Sequence, residues 1–270
     1  MTHSTHPDGA ASLALEDVPF QPKQTIQKPI VLITGATGAI GRELADYLIQ
    51  KGMKLILTGQ SEVKLSRLRD SLKQVLVAQN LNEADAPLYV PFDLTKGDQI
   101  DLLGARLYEE FGRIDGFVSC TGFLKELGPV AHFNRAHFDK TMMVNFGANF
   151  RLLQNLHLLF QGSTHPRAVF MTSTENRDDA YWGIYQASKA ALETMVISYA
   201  KENARSTTIK ANLFDPYRVS STLRGQAFPG EPEGAFSLTP EAKENIAYLL
   251  SRDCDMSGEV VKLSIETGAK

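Results

Sequence analysis

The chain has 270 residues with 43% hydrophobic and 22% charged side chains, the composition of a globular protein with a substantial core. A net charge of −3 gives no basic surface for nucleic acid, and no apolar run is long enough to span a bilayer. Because the two cysteines, Cys120 and Cys254, lie far apart and the chain begins without a signal-like segment, we expect a reduced, cytoplasmic protein without a metal site.

The order of apolar runs and helical patterns predicts one large α/β domain. A polar, proline-containing stretch at 1–28 is expected to be either a mobile tail or a segment draped over the domain, and the domain covers 29–270. Strands are predicted at 29–34, 54–58, 87–92, 114–119, 167–172, 208–213 and 259–265. Helices are predicted at 40–51, 61–79, 98–111, 135–160, 182–203 and 240–250. This alternation favours a parallel sheet built from βαβ units, and a Pro- and Gly-rich segment at 216–240 is expected to form a lid.

A glycine-rich turn follows the first predicted strand directly and leads into a helix. It reads Thr34-Gly35-Ala36-Thr37-Gly38-Ala39-Ile40-Gly41. Glycines let the backbone approach a pyrophosphate closely, and the N-terminus of the helix supplies free N–H groups and a positive dipole end. The position between a strand and a helix therefore favours dinucleotide binding over an ordinary βα turn.

Tyr185 and Lys189 lie four positions apart in a predicted helix and so share one face. A phenol has an ordinary pKa of about 10, and a nearby ammonium favours the phenolate and lowers that pKa. The pair therefore indicates proton transfer to or from a carbonyl or alcohol oxygen. Considered alone, it also fits a packed tyrosine next to a surface lysine.

In their order along the chain these motifs resemble the short-chain dehydrogenase/reductase family, in its shorter, single-domain branch. The resemblance spans about 29–268 and is carried by the glycine turn and by Asp93, Leu94, Gly122, Asn145, Ser173, Tyr185, Lys189, Pro216 and Val219. It implies a Rossmann-type, doubly wound parallel β-sheet with helices on both faces. It also implies an NAD(P)-dependent oxidoreductase that interconverts a small-molecule alcohol and a carbonyl by hydride transfer.

The resemblance assigns a role to each residue of a catalytic set. Tyr185 is the general acid/base, Lys189 lowers its pKa and binds the nicotinamide ribose, and Asn145 holds a water that links Lys189 to solvent. A hydroxyl at the end of the fifth strand orients the substrate oxygen; we choose Ser173, while ungapped counting from Tyr185 favours Thr172. The implied cofactor contacts are Gly35, Thr37, Gly38, Ile40, Gly41, Gln60, Asp93, Leu94, Cys120, Gly122, Tyr185, Lys189, Pro216 and Val219.

Three residues depart from the family pattern. Ala39 stands where the middle glycine of the turn is expected, Cys120 replaces an asparagine after the fourth strand, and Tyr217 replaces a glycine after Pro216. These departures favour the alternative function, a non-catalytic nicotinamide-nucleotide-binding or interaction protein on the same fold.

The residues at the end of the second strand predict whether NADP or NAD is bound. It is followed by Gly59 and Gln60 without a carboxylate to hold the ribose hydroxyls of NAD, so NADP is preferred and NAD remains an alternative. Arg42 either reaches the 2′-phosphate or is solvated, and Arg218 and Arg224 either meet an anionic substrate or lie in solvent. The helices at 135–160 and 182–203 have broad apolar faces, which the family usually buries in a symmetric four-helix contact between subunits. The resemblance therefore implies a homodimer or homotetramer.

Overall fold

The structure, a computed structural model, describes residues 28–263. The tail predicted at 1–28 therefore lies outside the described residues except for Lys28, and the last predicted strand, 259–265, is described as far as Leu263. The strands in this part of the chain are β1 Ile30–Thr34, β2 Lys54–Gly59, β3 Leu88–Pro91, β4 Gly116–Ser119, β5 Arg167–Met171, β6 Lys210–Asp215 and β7 Val260–Lys262. The helices are α1 Ala39–Gln50, α2 Glu62–Ala78, α3 Gly97–Phe111, α4 Arg135–Met142, α5 Ala148–Gln161, α6 Gly183–Asn203, α7 Thr222–Ala227 and α8 Pro240–Leu249.

The strands form one sheet in the order β3-β2-β1-β4-β5-β6-β7. Every neighbouring pair is parallel. After β3 the chain returns to the other side of β1, so the direction of winding reverses between β1 and β4. Ligands of such sheets bind at the carboxyl ends of the strands near this reversal. The predicted Rossmann-type parallel sheet is confirmed.

Helices cover both faces of the sheet because alternate strand residues face opposite sides. In β1, Val31 and Ile33 pack in one buried cluster, whereas Ile30 and Leu32 pack in another. The first cluster includes residues of α1, α2 and α8, and the second includes residues of α3, α5 and α6. None of the helices between residues 28 and 263 combines the length and apolar character that a bilayer crossing requires.

The helix predicted at 135–160 is continuous but irregular. A π-helical segment, Met143–Gly147, separates α4 from α5. Asn145 lies inside this segment and is fully buried. Its Oδ1 accepts the N–H of Phe123 at 2.7 Å, and its Nδ2 donates to the carbonyl of Phe123 at 3.0 Å. The widened turn therefore brings Asn145 against the loop that follows β4. Single π-helical turns within α-helices are frequent at functional sites.

The sixth strand runs two residues further along the chain than the predicted 208–213. Thr207 Oγ1 accepts the N–H of Ile209 at 3.1 Å, and pairing with β5 begins at Lys210. Strand β6 consequently ends at Asp215, which is buried. This shift of two residues brings the carboxylate of Asp215 to the carboxyl ends of the strands, where ligands of such sheets bind.

At the opposite end of the sheet, the buried Arg167 ties several segments together. Its guanidinium donates to the carbonyls of Pro166 (3.1 Å), Thr208 (3.3 Å), Ser251 (3.1 Å) and Arg252 (3.3 Å). Burial lowers the pKa of this guanidinium. Since four backbone acceptors share one side chain, Arg167 joins the start of β5 to the residues after α8.

We expect Arg167→Met to lower the free energy of unfolding by about 2–4 kcal/mol, because the buried side chain loses its hydrogen bonds to four backbone carbonyls. Urea unfolding followed by circular dichroism measures this loss. The control is Arg106→Met, which removes only a surface ion pair with Glu109 at 3.9 Å and should cost less than about 1 kcal/mol. Equal losses for the two variants would contradict the assignment.

Candidate active site

The glycine turn between β1 and α1 is shaped by close backbone contacts. Gly35 has φ +66°, and a Cβ there would lie 3.0 Å from the carbonyl oxygen of Cys120. A Cβ on Gly41 would lie 2.8 Å from the Cα of Ala36. No side chain caps the N-terminus of α1, and its first turn holds no acidic residue. The turn thus leaves free helix N–H groups beside a tight backbone, as a pyrophosphate requires.

Most of the predicted cofactor residues share one cavity at the carboxyl ends of the strands. The cavity measures about 250 Å³. It is lined by Gly38, Ile40, Cys120, Gly122, Tyr185, Lys189, Pro216 and Val219. Gly35 and Gly41 lie beneath it as part of the turn, and Thr37 lines a neighbouring groove.

The remaining three predicted cofactor contacts, Gln60, Asp93 and Leu94, follow the carboxyl ends of β2 and β3. Gln60 Nε2 donates to Asp93 Oδ1 at 3.1 Å, and Leu94 packs against the core. Partial burial acts to raise the pKa of Asp93, but hydrogen bonds from Thr95 and Gln60 outweigh it and lower the pKa. The Asp93 carboxylate therefore stays ionised at neutral pH.

Of the four predicted catalytic residues, Ser173, Tyr185 and Lys189 line the cavity, whereas Asn145 is buried outside its lining. Lys189 Nζ lies 5.9 Å from the centroid of the Tyr185 ring and donates to the carbonyl of Met171 at 2.9 Å. Asn145 Nδ2 donates to Ser188 Oγ at 2.9 Å, which joins the π-helical segment to α6. The role of Asn145 in holding a water stays a prediction.

The hydroxyls after β5 differ in what they bind. Thr172 Oγ1 donates to Glu193 Oε1 at 2.6 Å, and Thr174 Oγ1 donates to Asp215 Oδ2 at 2.7 Å. Ser173 lines the cavity, and its hydroxyl forms no hydrogen bond within residues 28–263. The geometry favours Ser173 over Thr172 because the threonine hydroxyl is already committed to a carboxylate.

Burial controls the protonation of the Tyr185–Lys189 pair. It raises the pKa of the Tyr185 phenol above its ordinary value, and the Asp215 carboxylate raises it further. It lowers the pKa of Lys189 to about 8, against the opposing effect of Asp215 and Glu193. Desolvation and Asp215 are the causes of this raised phenol pKa, so the expected lowering by Lys189 does not dominate here and stays a prediction. A neutral phenol at physiological pH is a proton donor.

Arg218 and Arg224 both form ion pairs with carboxylates, and Arg224 also lines the cavity. Arg218 donates to Glu175 at 2.9 Å, whereas Arg224 lies 3.6 Å from Glu175 and donates two hydrogen bonds of 2.6 Å to Glu231. The guanidinium of Arg224 also covers the ring of Phe228, 4.5 Å from its centroid. These ion pairs join the segment at 216–240 to the loop after β5.

The body of the chain, from residue 29 onward, has known relatives. The sequence profile of the short chain dehydrogenase family matches residues 29–232. The chain belongs to the short-chain dehydrogenase family. The protein named Uncharacterized oxidoreductase YciK, from Escherichia coli strain K12, is 32% identical over 218 residues, covering 78% of this chain and 82% of YciK. This dehydrogenase is thus an oxidoreductase enzyme, as its motifs predicted.

Solved structures share the fold of this short-chain dehydrogenase. A short chain dehydrogenase from Salmonella enterica serovar Typhi has a TM-score of 0.79 at 29% identity, covering 90% of this chain and 99% of its own. One from Escherichia coli, solved in complex with NADPH, has a TM-score of 0.78 at 27% identity, covering 87% of this chain and 95% of its own.

The three departures from the family pattern all border the cavity of this short-chain dehydrogenase. Ala39 is the first residue of α1. Burial raises the pKa of the Cys120 thiol to about 12, so the thiol stays protonated despite the opposing charge of Lys189. Tyr217 has φ +60°, and its N–H donates to Asp215 Oδ1 at 3.0 Å. That hydrogen bond holds a tyrosine in a backbone conformation that glycine adopts more readily.

Two buried carboxylates beside the site are not part of any motif recognised in the sequence. Asp215 Oδ2 accepts both the N–H and the hydroxyl of Thr174 at 2.7 Å. Glu193 accepts hydrogen bonds from Thr172 and Arg177, each at 2.6 Å. The one available sequence signal is that Glu193 follows Lys189 by four positions and so lies on the same helix face. Both carboxylates influence the pKa of Lys189.

A second groove lies next to the glycine turn of this dehydrogenase. Thr37, Arg42, Lys64 and Arg67 line it together with Lys243. Lys243 binds Glu43 at 2.8 Å, whereas Arg42, Lys64 and Arg67 form no ion pair within the described residues. Glu43 and Asp46 also line the groove, which therefore carries three cations that no described carboxylate pairs, beside two carboxylates.

Proposed function

We propose that this short-chain dehydrogenase reduces a small carbonyl compound to its alcohol with NADPH. The observation that carries the proposal is one cavity that joins Tyr185, Lys189 and Ser173 to the uncapped N-terminus of α1. The glycine turn fits a dinucleotide, because side chains at Gly35 or Gly41 would meet backbone atoms. When bound, the nicotinamide supplies the hydride.

Residues of the chain orient the substrate oxygen and protonate it. Ser173 donates a hydrogen bond that orients this oxygen, and Tyr185 transfers its proton as negative charge develops there. Because burial raises the pKa of Tyr185, the phenol is protonated and suited to reduction. Lys189 holds the ribose, and Asn145 holds a water on the route to solvent. Acid–base help of this kind contributes roughly 10²–10⁴-fold in rate.

A panel of ketones and alcohols, assayed with NADPH and with NADH, tests the function. We expect NADPH labelled with deuterium at the reactive nicotinamide carbon to deliver the label to the alcohol carbon. The alternative is a non-catalytic nucleotide-binding protein, which Cys120 and Tyr217 at the cavity favour. Tight NADPH binding without turnover of any carbonyl would support that alternative.

The proposed preference for NADP over NAD rests on charge. Strand β2 ends at Gly59 without an acid, and the groove beside Thr37 holds Arg42, Lys64 and Arg67. These cations suit the 2′-phosphate, and a relative was solved with NADPH. A carboxylate at position 59 would sit near Thr37, since a Cβ there lies 3.3 Å from Thr37 Oγ1.

We expect Arg42→Ala to raise the Kd for NADPH about tenfold with little change for NADH, because a charged hydrogen bond to phosphate is lost. Fluorescence titration measures both constants. Lys243→Ala is the matched control, as Glu43 already neutralises that cation in the same groove. Gly59→Asp should also weaken NADPH more than NADH. A wild-type preference for NADH would refute the assignment.

We propose a homodimer or homotetramer that uses the outer face of α5. Phe150 and Leu158 are exposed on α5 at a spacing of eight residues, and Met143 is exposed in the π-helical segment before it. Light scattering is expected to show at least a dimer at micromolar concentration. Phe150→Glu combined with Leu158→Glu should give a monomer, whereas Tyr248→Glu, an exposed aromatic on α8, should not. A monomeric wild-type protein would contradict the proposal.

The cytoplasm is the proposed location. Cys120 and Cys254 both carry free thiols, and thiols persist in reducing compartments. Cell fractionation tests this assignment.

A further inference from the structure

An apolar wall borders the phenol of Tyr185. The ring of Trp182 packs edge-on against Tyr185, with 5.8 Å between centroids, and Phe228 lies 5.7 Å from Trp182. Leu223 and Ala227 pack against the same cluster. Trp182, Phe228, Leu223 and Ala227 also line the cavity, so this wall faces the space where a substrate must lie to reach Tyr185.

The charges around the cavity do not suit an anion. Arg224 and Lys189 are the cations that line it among residues 28–263. Arg224 is paired with Glu231 and Glu175, and Lys189 Nζ is bound to the carbonyl of Met171. Glu175 itself lines the cavity and would repel a carboxylate. An anionic substrate would therefore have to displace an existing ion pair.

The space available is small. The cavity of about 250 Å³ includes the stretch along Gly38 and Ile40 beside the glycine turn. Pockets for drug-sized ligands measure roughly 300–1,000 Å³. Tyr217, in place of a glycine, adds a ring to the boundary. Because a nicotinamide would occupy part of this space, the cavity favours a compact substrate.

We propose that the substrate is a compact, uncharged carbonyl compound whose single aromatic ring packs against Trp182 and Phe228. This inference rests on the proposed function, because it places the reacting oxygen at Tyr185. Ring-on-ring contact favours an aromatic substrate over a small aliphatic one, and the paired charges disfavour its carboxylate analogue.

Three related compounds separate size from charge. Methyl benzoylformate is aromatic and uncharged, benzoylformate is its carboxylate, and methyl pyruvate is uncharged but small. With NADPH we expect kcat/KM for methyl benzoylformate to exceed each of the others about tenfold or more. Phe228→Ala should reduce the preference for methyl benzoylformate over methyl pyruvate about tenfold. Phe236→Ala, a ring of the same segment that does not line the cavity, should keep it.

Binding is measured without turnover because Trp182 is the single tryptophan of the chain. In the presence of NADP⁺, methyl benzoylformate should quench its fluorescence saturably, whereas benzoylformate should not. Free N-acetyltryptophanamide is the control for collisional quenching. Quenching without any turnover would support the wall and refute the proposed function. Faster reduction of methyl pyruvate or benzoylformate would support that function and overturn this inference. If none of the three compounds is reduced and methyl benzoylformate causes no quenching, both this inference and the proposed function are overturned.

Discussion

Substituting Tyr185→Phe is expected to reduce turnover by roughly 10²-fold or more, the scale of lost acid–base catalysis. The change removes the proposed proton donor and keeps the ring that packs against Trp182. We therefore expect the Kd for NADPH and the free energy of unfolding to change little. Steady-state kinetics on an identified ketone, with fluorescence titration of NADPH, measures these effects.

The matched control is Tyr199→Phe on the same helix. The hydroxyl of Tyr199 binds His157 Nδ1 at 2.9 Å, so its loss costs about 1 kcal/mol of stability. Because Tyr199 does not line the cavity, turnover should stay at the wild-type level. Wild-type turnover in the Tyr185→Phe protein would show that another group supplies the proton.

Substituting Lys189→Met is expected to impair both turnover and NADPH binding, by about tenfold or more each. The ammonium of Lys189 is proposed to hydrogen-bond the ribose of the cofactor and to act electrostatically on the phenol of Tyr185. A hydrogen bond to a charged group contributes about 1.5–3 kcal/mol. Lys201→Met, at an exposed position in the last turn of the same helix, is the control and should change neither. Unchanged NADPH affinity in the Lys189→Met protein would exclude the ribose contact.

The pKa of Lys189, lowered to about 8 by burial, also predicts opposite effects of pH on activity and stability. The kcat/KM for NADPH should fall as pH rises above about 8, because the ammonium loses its proton. An unfolded lysine keeps its proton to a pH of about 10.4, so between these values the unfolded state binds more protons. The Lys189 contribution to stability therefore increases with pH in this window. Neither response should remain in the Lys189→Met protein.

The fold and much of the candidate site follow from residues that are close together in the chain. The burial of β1 on both faces comes from apolar residues at successive positions, and the turn from Gly35 to Gly41 links one strand to one helix. Tyr185 and Lys189 meet because they are one helical turn apart. Local spacing is sufficient for these features since backbone geometry alone brings the residues together. The ends of β6 were harder to place, as strand pairing with β5 decides them.

What the sequence by itself determined is therefore the parallel α/β sheet, the glycine turn between β1 and α1 and the Tyr185–Lys189 pair. Only the tertiary structure favours Ser173 over Thr172, because Glu193, 21 positions away, accepts the hydroxyl of Thr172, and the catalytic role of Ser173 stays a prediction. It also brought Asp215 to Thr174, 41 positions distant. The raised pKa of Tyr185 depends on burial by the whole fold, which no local pattern encodes. Contacts and desolvation of this kind arise from the packing of distant segments, and so they appear only in the folded chain.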